Sequence, residues 1–152
     1  MAQIEKLEVQ AEIKSSADKF YQILRSKGHL LPTICPNLVK DVKLIKGDWE
    51  TLGSVRQWTY VTGNSENSKE EVEAIDEENK SITFAAVDGD ITQYYKNVKA
   101  TLQVTEKAQG GSSVKWTLEY EKKNENFPAP NQYLDFVSIV TKQIDAYLTN
   151  NT

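Results

Sequence analysis

Metal sites, disulfides and thiol catalysis all draw on residues this sequence barely has: among 152 residues there is one cysteine, Cys35, and one histidine, His29. A lone cysteine closes no internal disulfide and has no cysteine partner at a metal. That usage fits a reducing compartment and places the chain in the cytosol. His29 has no partner at ligand spacing, so a zinc site would need ligands the sequence does not offer; it reads as a surface or packing histidine. Cys35, between Ile34 and Pro36, reads as a small buried hydrophobe, because no Cys–His–Asn or Cys–His–Asp set can be assembled around it. No cofactor and no metal are expected.

Long apolar runs are missing too. No stretch approaches the ~18 consecutive apolar residues of a membrane span, so no integral membrane association is expected. The first residues pass straight into an alternating pattern without a charged-then-apolar leader, which argues against secretion. Positive charge is in deficit, with 18 Lys and Arg against 22 Asp and Glu for a net charge of -4. A nucleic-acid binder needs a concentrated surplus of cations to neutralise phosphates, so that class is set aside. There is no internal repeat, and the length suits one domain over residues 1–152.

What is present is alternation. Leu7, Val9, Ala11 and Ile13 fall on every second position with polar residues between them, the mark of a strand with one buried face. Ser15-Ser16-Ala17-Asp18 then supplies a hydroxyl cap with a carboxylate three residues on, and Phe20, Ile23 and Leu24 follow at helical spacing. Gly28 stops that helix. Between Leu30 and Pro36 at most two further helical turns fit, because prolines punctuate the segment. Strand-like runs follow at Val39–Ile45, Ser54–Val61, Glu70–Ile75, Ser81–Val87, Tyr94–Thr105 and Val114–Glu121, separated by segments rich in Gly, Asn, Asp and Ser. After Pro128 and Pro130 comes a final helix of some eighteen residues, with Tyr133, Phe136, Val137, Val140, Ile144, Tyr147 and Leu148 at three-to-four spacing and Asp135, Ser138, Lys142 and Asp145 opposite.

The layout is α+β: a seven-stranded curved antiparallel sheet around a long C-terminal helix, with two short helices after strand one. A sheet that bends strongly around a helix cannot fill the enclosed space with side chains, and the residual pocket is a home for a small ligand. Alternation assigns its walls. Trp58, Tyr60, Phe84, Val98, Ala100, Leu102, Trp116 and Leu118 face inward from the strands, with Tyr133, Phe136, Val137 and Val140 from the helix. Small Ala86 and Ala100 open space, and the hydroxyls of Tyr60 and Tyr133 can orient a ligand. Arg56 shares parity with Trp58, and Lys96 with Val98, so both are expected at the cavity or its rim, where a buried cation needs an acidic partner or an anionic ligand head. The carboxylates of the run from Glu66 to Glu78 are expected to alternate outward as a solvated face. Gly47 and Gly53 lack phosphate-loop spacing and read as turn residues. Trp49, at the tip of that loop, would either cover a cavity mouth or pack on a neighbouring strand.

Several motifs together carry a resemblance. They are Lys46-Gly47-Asp48-Trp49-Glu50-Thr51-Leu52-Gly53-Ser54-Val55 with Trp58 and Tyr60, Glu73-Ala74-Ile75-Asp76-Glu77-Glu78-Asn79-Lys80, Asp88-Gly89-Asp90, Trp116-Thr117-Leu118-Glu119-Tyr120-Glu121-Lys122, and Pro130-Asn131-Gln132-Tyr133-Leu134-Asp135-Phe136. With the element order, they resemble the major latex protein branch of the birch pollen allergen superfamily over nearly the whole chain. That resemblance implies a helix-grip fold in a plant protein of defence or stress, monomer or weak dimer, binding a hydrophobic metabolite such as a lipid, steroid, flavonoid or alkaloid. It also implies an alternative, a cyclase or isomerase using the same cavity, for which Arg56, Lys96, Tyr60 and Tyr133 are the acid–base candidates. The chain departs from the birch allergen type where Asp48-Trp49-Glu50 replaces adjacent glycines.

Overall fold

A computed structural model describes residues 3–61 and 65–150; Met1 and Ala2, on which the expectation about a leader partly rests, lie outside them. The chain runs β1 (Glu5–Ile13), α1 (Ala17–Ser26), a 3-10 turn (Gly28–Leu30), α2 (Leu31–Ile34), β2 (Val39–Lys46), β3 (Val55–Val61), β4 (Ser65–Asp76), β5 (Ser81–Gly89), a second 3-10 turn (Asp90–Gln93), β6 (Tyr95–Glu106), β7 (Ser112–Lys122) and α3 (Asn131–Asn150). The strands form one sheet in the order β1-β7-β6-β5-β4-β3-β2, every neighbour antiparallel. β1 and β2, consecutive in sequence, therefore occupy opposite edges. The α1–α2 pair spans the distance between them and closes one end of the curved sheet. Register shifts in β2, β4 and β6 supply the local bends a strongly curved sheet requires.

Local chemistry explains where the elements begin and end. Ser16 caps α1, its Oγ accepting from Lys19 N at 3.3 Å. In β7, Ser112, Val114, Trp116, Leu118 and Tyr120 are buried while the residues between them are half-buried, the pattern period-two alternation predicts. Gly111, in the β6–β7 turn, has a φ of +76°, and a Cβ there would lie 2.5 Å from the Ile13 carbonyl oxygen; only glycine allows β1 so close to that turn. Cys35 is fully buried, and burial pushes its thiol up to about 11.

Two expectations need correction here. β4 starts at Ser65 rather than at Glu70: a polar stretch with poor strand propensity is held in register by β3, from Val55 opposite Glu71 to Val61 opposite Ser65, so pairing overrides propensity. Asp145, expected on the wet face of α3, instead ties that helix to the β1–α1 joint. Its carboxylate accepts from Lys14 N at 3.0 Å, from Ser15 N at 2.9 Å and from the Ser15 hydroxyl. Charge-assisted bonds of this kind are worth about 1.5–3 kcal/mol each before solvent exposure discounts them. Asp145→Ala is accordingly expected to cost about 2 kcal/mol in urea unfolding, and Asp145→Asn, which keeps an acceptor, roughly half of that.

Candidate functional site

Between the sheet and α3 lies a cavity that opens to solvent at its mouth. One end is closed by Leu24 of α1, Leu31 of α2 and Val39 of β2; the other reaches Ile91 in the second 3-10 turn. β3 supplies Trp58 and Tyr60, β5 supplies Phe84 and Ala86, β6 supplies Val98 and Ala100, and β7 supplies Trp116 and Leu118. From α3 come Tyr133, Leu134, Phe136, Val137 and Val140. The wall is almost wholly apolar. Tyr60 packs against Phe136 at 5.2 Å and Tyr133 at 6.2 Å between ring centroids, and the Tyr133 hydroxyl donates to Glu66 Oε1 at 2.6 Å. Burial raises the pKa of both tyrosines well above the ordinary phenol value.

Twelve of the residues that alternation assigns inward lie on this wall; Leu102 is packed in the hydrophobic core instead, and Arg56 and Lys96 do not line the cavity either. Lys96 is exposed because the β6–β7 register shifts between Lys96 and Lys99, with Asn97 in the left-handed region at φ 52°. The bulge inverts parity, so buried Tyr95 and Val98 stand three apart and Lys96 turns to solvent. Arg56 is 1% exposed, yet it sits behind the wall. Its guanidinium lies between the Trp49 ring at 5.3 Å and the Phe84 ring at 5.9 Å, and Nη2 donates to the Trp49 carbonyl at 2.8 Å. Trp49 also meets the His29 ring at 5.5 Å. Arg56 thus fastens the 47–54 loop to the sheet, helped by Asp48, whose Oδ1 accepts from Glu50 N and Thr51 N at 2.9 and 2.8 Å.

Two further polar members of the wall are Ser68 and Glu70, and Glu70 corrects the expectation that the carboxylates of 66–78 face solvent. The signal was available: both share parity with Val72, which is 2% exposed. Glu73, Asp76, Glu77 and Glu78 are exposed, as that reading expects. Glu70 stands opposite Arg56 in the β3–β4 register. Burial raises its carboxyl to about 7, with the Arg56 charge and the Trp58 indole N–H pulling the other way.

This titration has a consequence for stability. The folded state holds the Glu70 proton more tightly than the unfolded chain does, so the group's contribution is intact below about pH 4.5 and is lost progressively as pH rises to about 7. Glu70→Gln keeps the neutral form and is expected to gain on the wild type across that window by at most about 3 kcal/mol. Urea unfolding of both proteins at about pH 4.5 and about pH 8 measures the gain; a difference that stays constant would contradict it.

A curved sheet closed over a long helix, with an apolar cavity between them, defines a ligand-binding fold. The chain belongs to the pathogenesis-related protein Bet v 1 family, whose sequence profile matches residues 2–151. Within that family it resembles the major latex proteins. It is 42% identical over 146 residues to MLP-like protein 34 of Arabidopsis thaliana, covering 95% of this chain and 46% of that protein. It is 40% identical to MLP-like protein 31 of the same plant, covering 95% and 86%, and 34% identical to major latex protein 146 of Papaver somniferum, covering 94% and 90%. The chain thus spans about half the length of MLP-like proteins 34 and 28. A crystal structure of major latex-like protein 151 from Panax ginseng superposes with a TM-score of 0.91 at 37% identity, covering 95% of this chain and 97% of that one. Norcoclaurine synthase of Thalictrum shares the fold at a TM-score of 0.77 and 18% identity, covering 100% and 99%. Among the described residues, no helix is long and apolar enough to cross a membrane.

Proposed function

We propose that this chain is a cytosolic carrier or reservoir that holds a small, mainly apolar plant metabolite in the cavity between sheet and α3. The observation that carries the reading is the cavity wall: aromatic and aliphatic side chains from four central strands and one helix converge on open space instead of on one another. A chain of this size normally packs its interior to the density of an organic crystal, so retained apolar space calls for an occupant. The solitary buried cysteine supports a reducing compartment. A role in defence or stress belongs to the same proposal and rests on the family.

The acid–base groups first assigned to an enzyme reading are poorly placed for it. Lys96 points to solvent, Arg56 lies behind the wall, and burial makes Tyr60 and Tyr133 hold their protons more tightly than a free phenol. One observation favours turnover: Glu70 borders the cavity with a carboxyl near 7, where a general base works best. Chromatography of the ligand recovered from a long-incubated stoichiometric complex separates the readings, since a carrier returns it unchanged.

Titration with the neutral fluorophore N-phenyl-1-naphthylamine, then displacement by a panel of sterols, flavonoids and lipids, tests the carrier reading. Saturable one-to-one binding in the micromolar range or tighter is expected; its absence across the panel would end the proposal. Ala100 lies on the wall between Phe84 of β5 and Leu118 of β7 in the register. Ala100→Phe fills the cavity and is expected to weaken binding at least about tenfold, equivalent to about 1.4 kcal/mol, in a protein whose far-ultraviolet circular dichroism is unchanged.

A further inference from the structure

Unsatisfied polar chemistry in this protein is concentrated in one place. Among the described residues, the buried side-chain nitrogens and oxygens without a hydrogen-bond partner are Ser54 Oγ, Arg56 Nε, Arg56 Nη1 and Trp58 Nε1, all within one short stretch entering and running along β3. Leaving a buried donor unpaired costs about 1–3 kcal/mol, and native folds keep such groups where a ligand, water or catalytic step uses them. Of the four atoms, Trp58 Nε1 belongs to a residue of the cavity wall. On the adjacent strand, two residues along from its register partner Ser68, stands Glu70, the one carboxylate or cation among the described wall residues. Trp58 Nε1 lies near enough to favour the Glu70 charge but makes no hydrogen bond of normal geometry. An unpaired donor and a carboxylate acceptor thus stand side by side on an otherwise apolar wall.

We propose that this pair is the polar subsite of the cavity, and that it selects a neutral apolar ligand carrying one hydroxyl group, alcohol or phenol, which accepts from Trp58 Nε1 and donates to Glu70. The inference rests on the carrier reading and names the class of molecule carried. A hydroxyl is the smallest group that satisfies both partners at once. An ether accepts but cannot donate. A carboxylate or sulfonate head meets Glu70 before anything else, because Arg56 does not line the cavity and its guanidinium is already engaged by the Trp49 carbonyl and two aromatic rings. A protonated amine offers Trp58 no acceptor. The titratable groups that interact with Glu70 among the described residues are Arg56 and Tyr60 on β3; Tyr133 on α3 contacts Tyr60 and is bonded to Glu66 of β4, and the cross-strand partner of Glu70 on β5 is Ala86.

The test uses three ligands of one carbon frame, 2-naphthol, 2-methoxynaphthalene and 2-naphthoate, each displacing N-phenyl-1-naphthylamine from the wild-type chain and from Glu70→Gln. At about pH 8, with Glu70 ionised, naphthol is expected to bind at least about tenfold tighter than the ether or the carboxylate. At about pH 6, with Glu70 protonated, the preference is expected to narrow to about threefold or less, because the acid then donates to an ether and no longer repels an anion. Glu70→Gln should show the narrow preference at both pH values. The wild-type pH comparison stands by itself if that variant does not fold. An ether or naphthoate that matches naphthol at about pH 8 overturns the hydroxyl subsite and leaves the carrier reading intact. A preference that persists unchanged at the lower pH removes Glu70 from it. If the fluorophore binds nowhere in the chain and none of the three ligands binds either, the carrier reading falls and this inference with it.

Discussion

The long helix touches the sheet along only part of its length, and the cavity follows from that. In its C-terminal half, Thr141 and Ile144 are buried, Trp116 Nε1 of β7 donates to Thr141 Oγ1 at 3.0 Å, and the Asp145 carboxylate holds the β1–α1 joint. The contact is close-packed and hydrogen-bonded, so it fixes the helix axis. In the N-terminal half, Tyr133, Leu134, Phe136 and Val137 stay half-buried and turn their side chains to open space. A helix is stiff over this length, so anchoring one end and holding the other away by the bulk of Tyr60 and Phe136 leaves a wedge no side chain reaches. The Tyr133–Glu66 bond holds the free end without closing it.

The second constraint is electrostatic. Arg56 is a cation with 1% of its surface exposed, packed on Trp49 and Phe84 and bonded to a backbone carbonyl, so its charge is delocalised across rings and dipoles rather than quenched by an ion pair. Glu70 faces it across the strand register and bears the cost of burial as a carboxyl raised to about 7. The arginine joins loop to sheet, and the glutamate gives the cavity its one carboxylate among the described wall residues. Neither could be exchanged for the other, because the cation is enclosed by the 47–54 loop while the carboxylate borders the open space.

Periodicity made most of the wall legible. Where a strand runs without interruption, as in β7, every second residue from Val114 to Tyr120 is buried, and inward residues can be read directly. The reading failed at two kinds of place. In β6 a bulge at Asn97 reverses parity, so Lys96 was assigned inward and lies outside. In β4 the charge of Glu70 points to solvent while the parity it shares with Val72 places it on the wall, and Ser68 lies in the part of the strand that propensity does not reveal. Both failures have one cause: side-chain type and strict alternation were used where backbone register decides.

The sequence by itself determined the element order, the family, the apolar faces and the turn positions, because each depends on short-range spacing, capping and backbone chemistry that neighbouring residues carry with them. Tertiary structure alone decided that Asp145 is an anchor, that Arg56 is a strut behind the wall, and that Trp58 and Glu70 meet at one spot. Those outcomes depend on which strand lies beside which, on where a bulge shifts the register, and on how far a stiff helix stands from a curved sheet. None of these distances is encoded within a single segment of the chain.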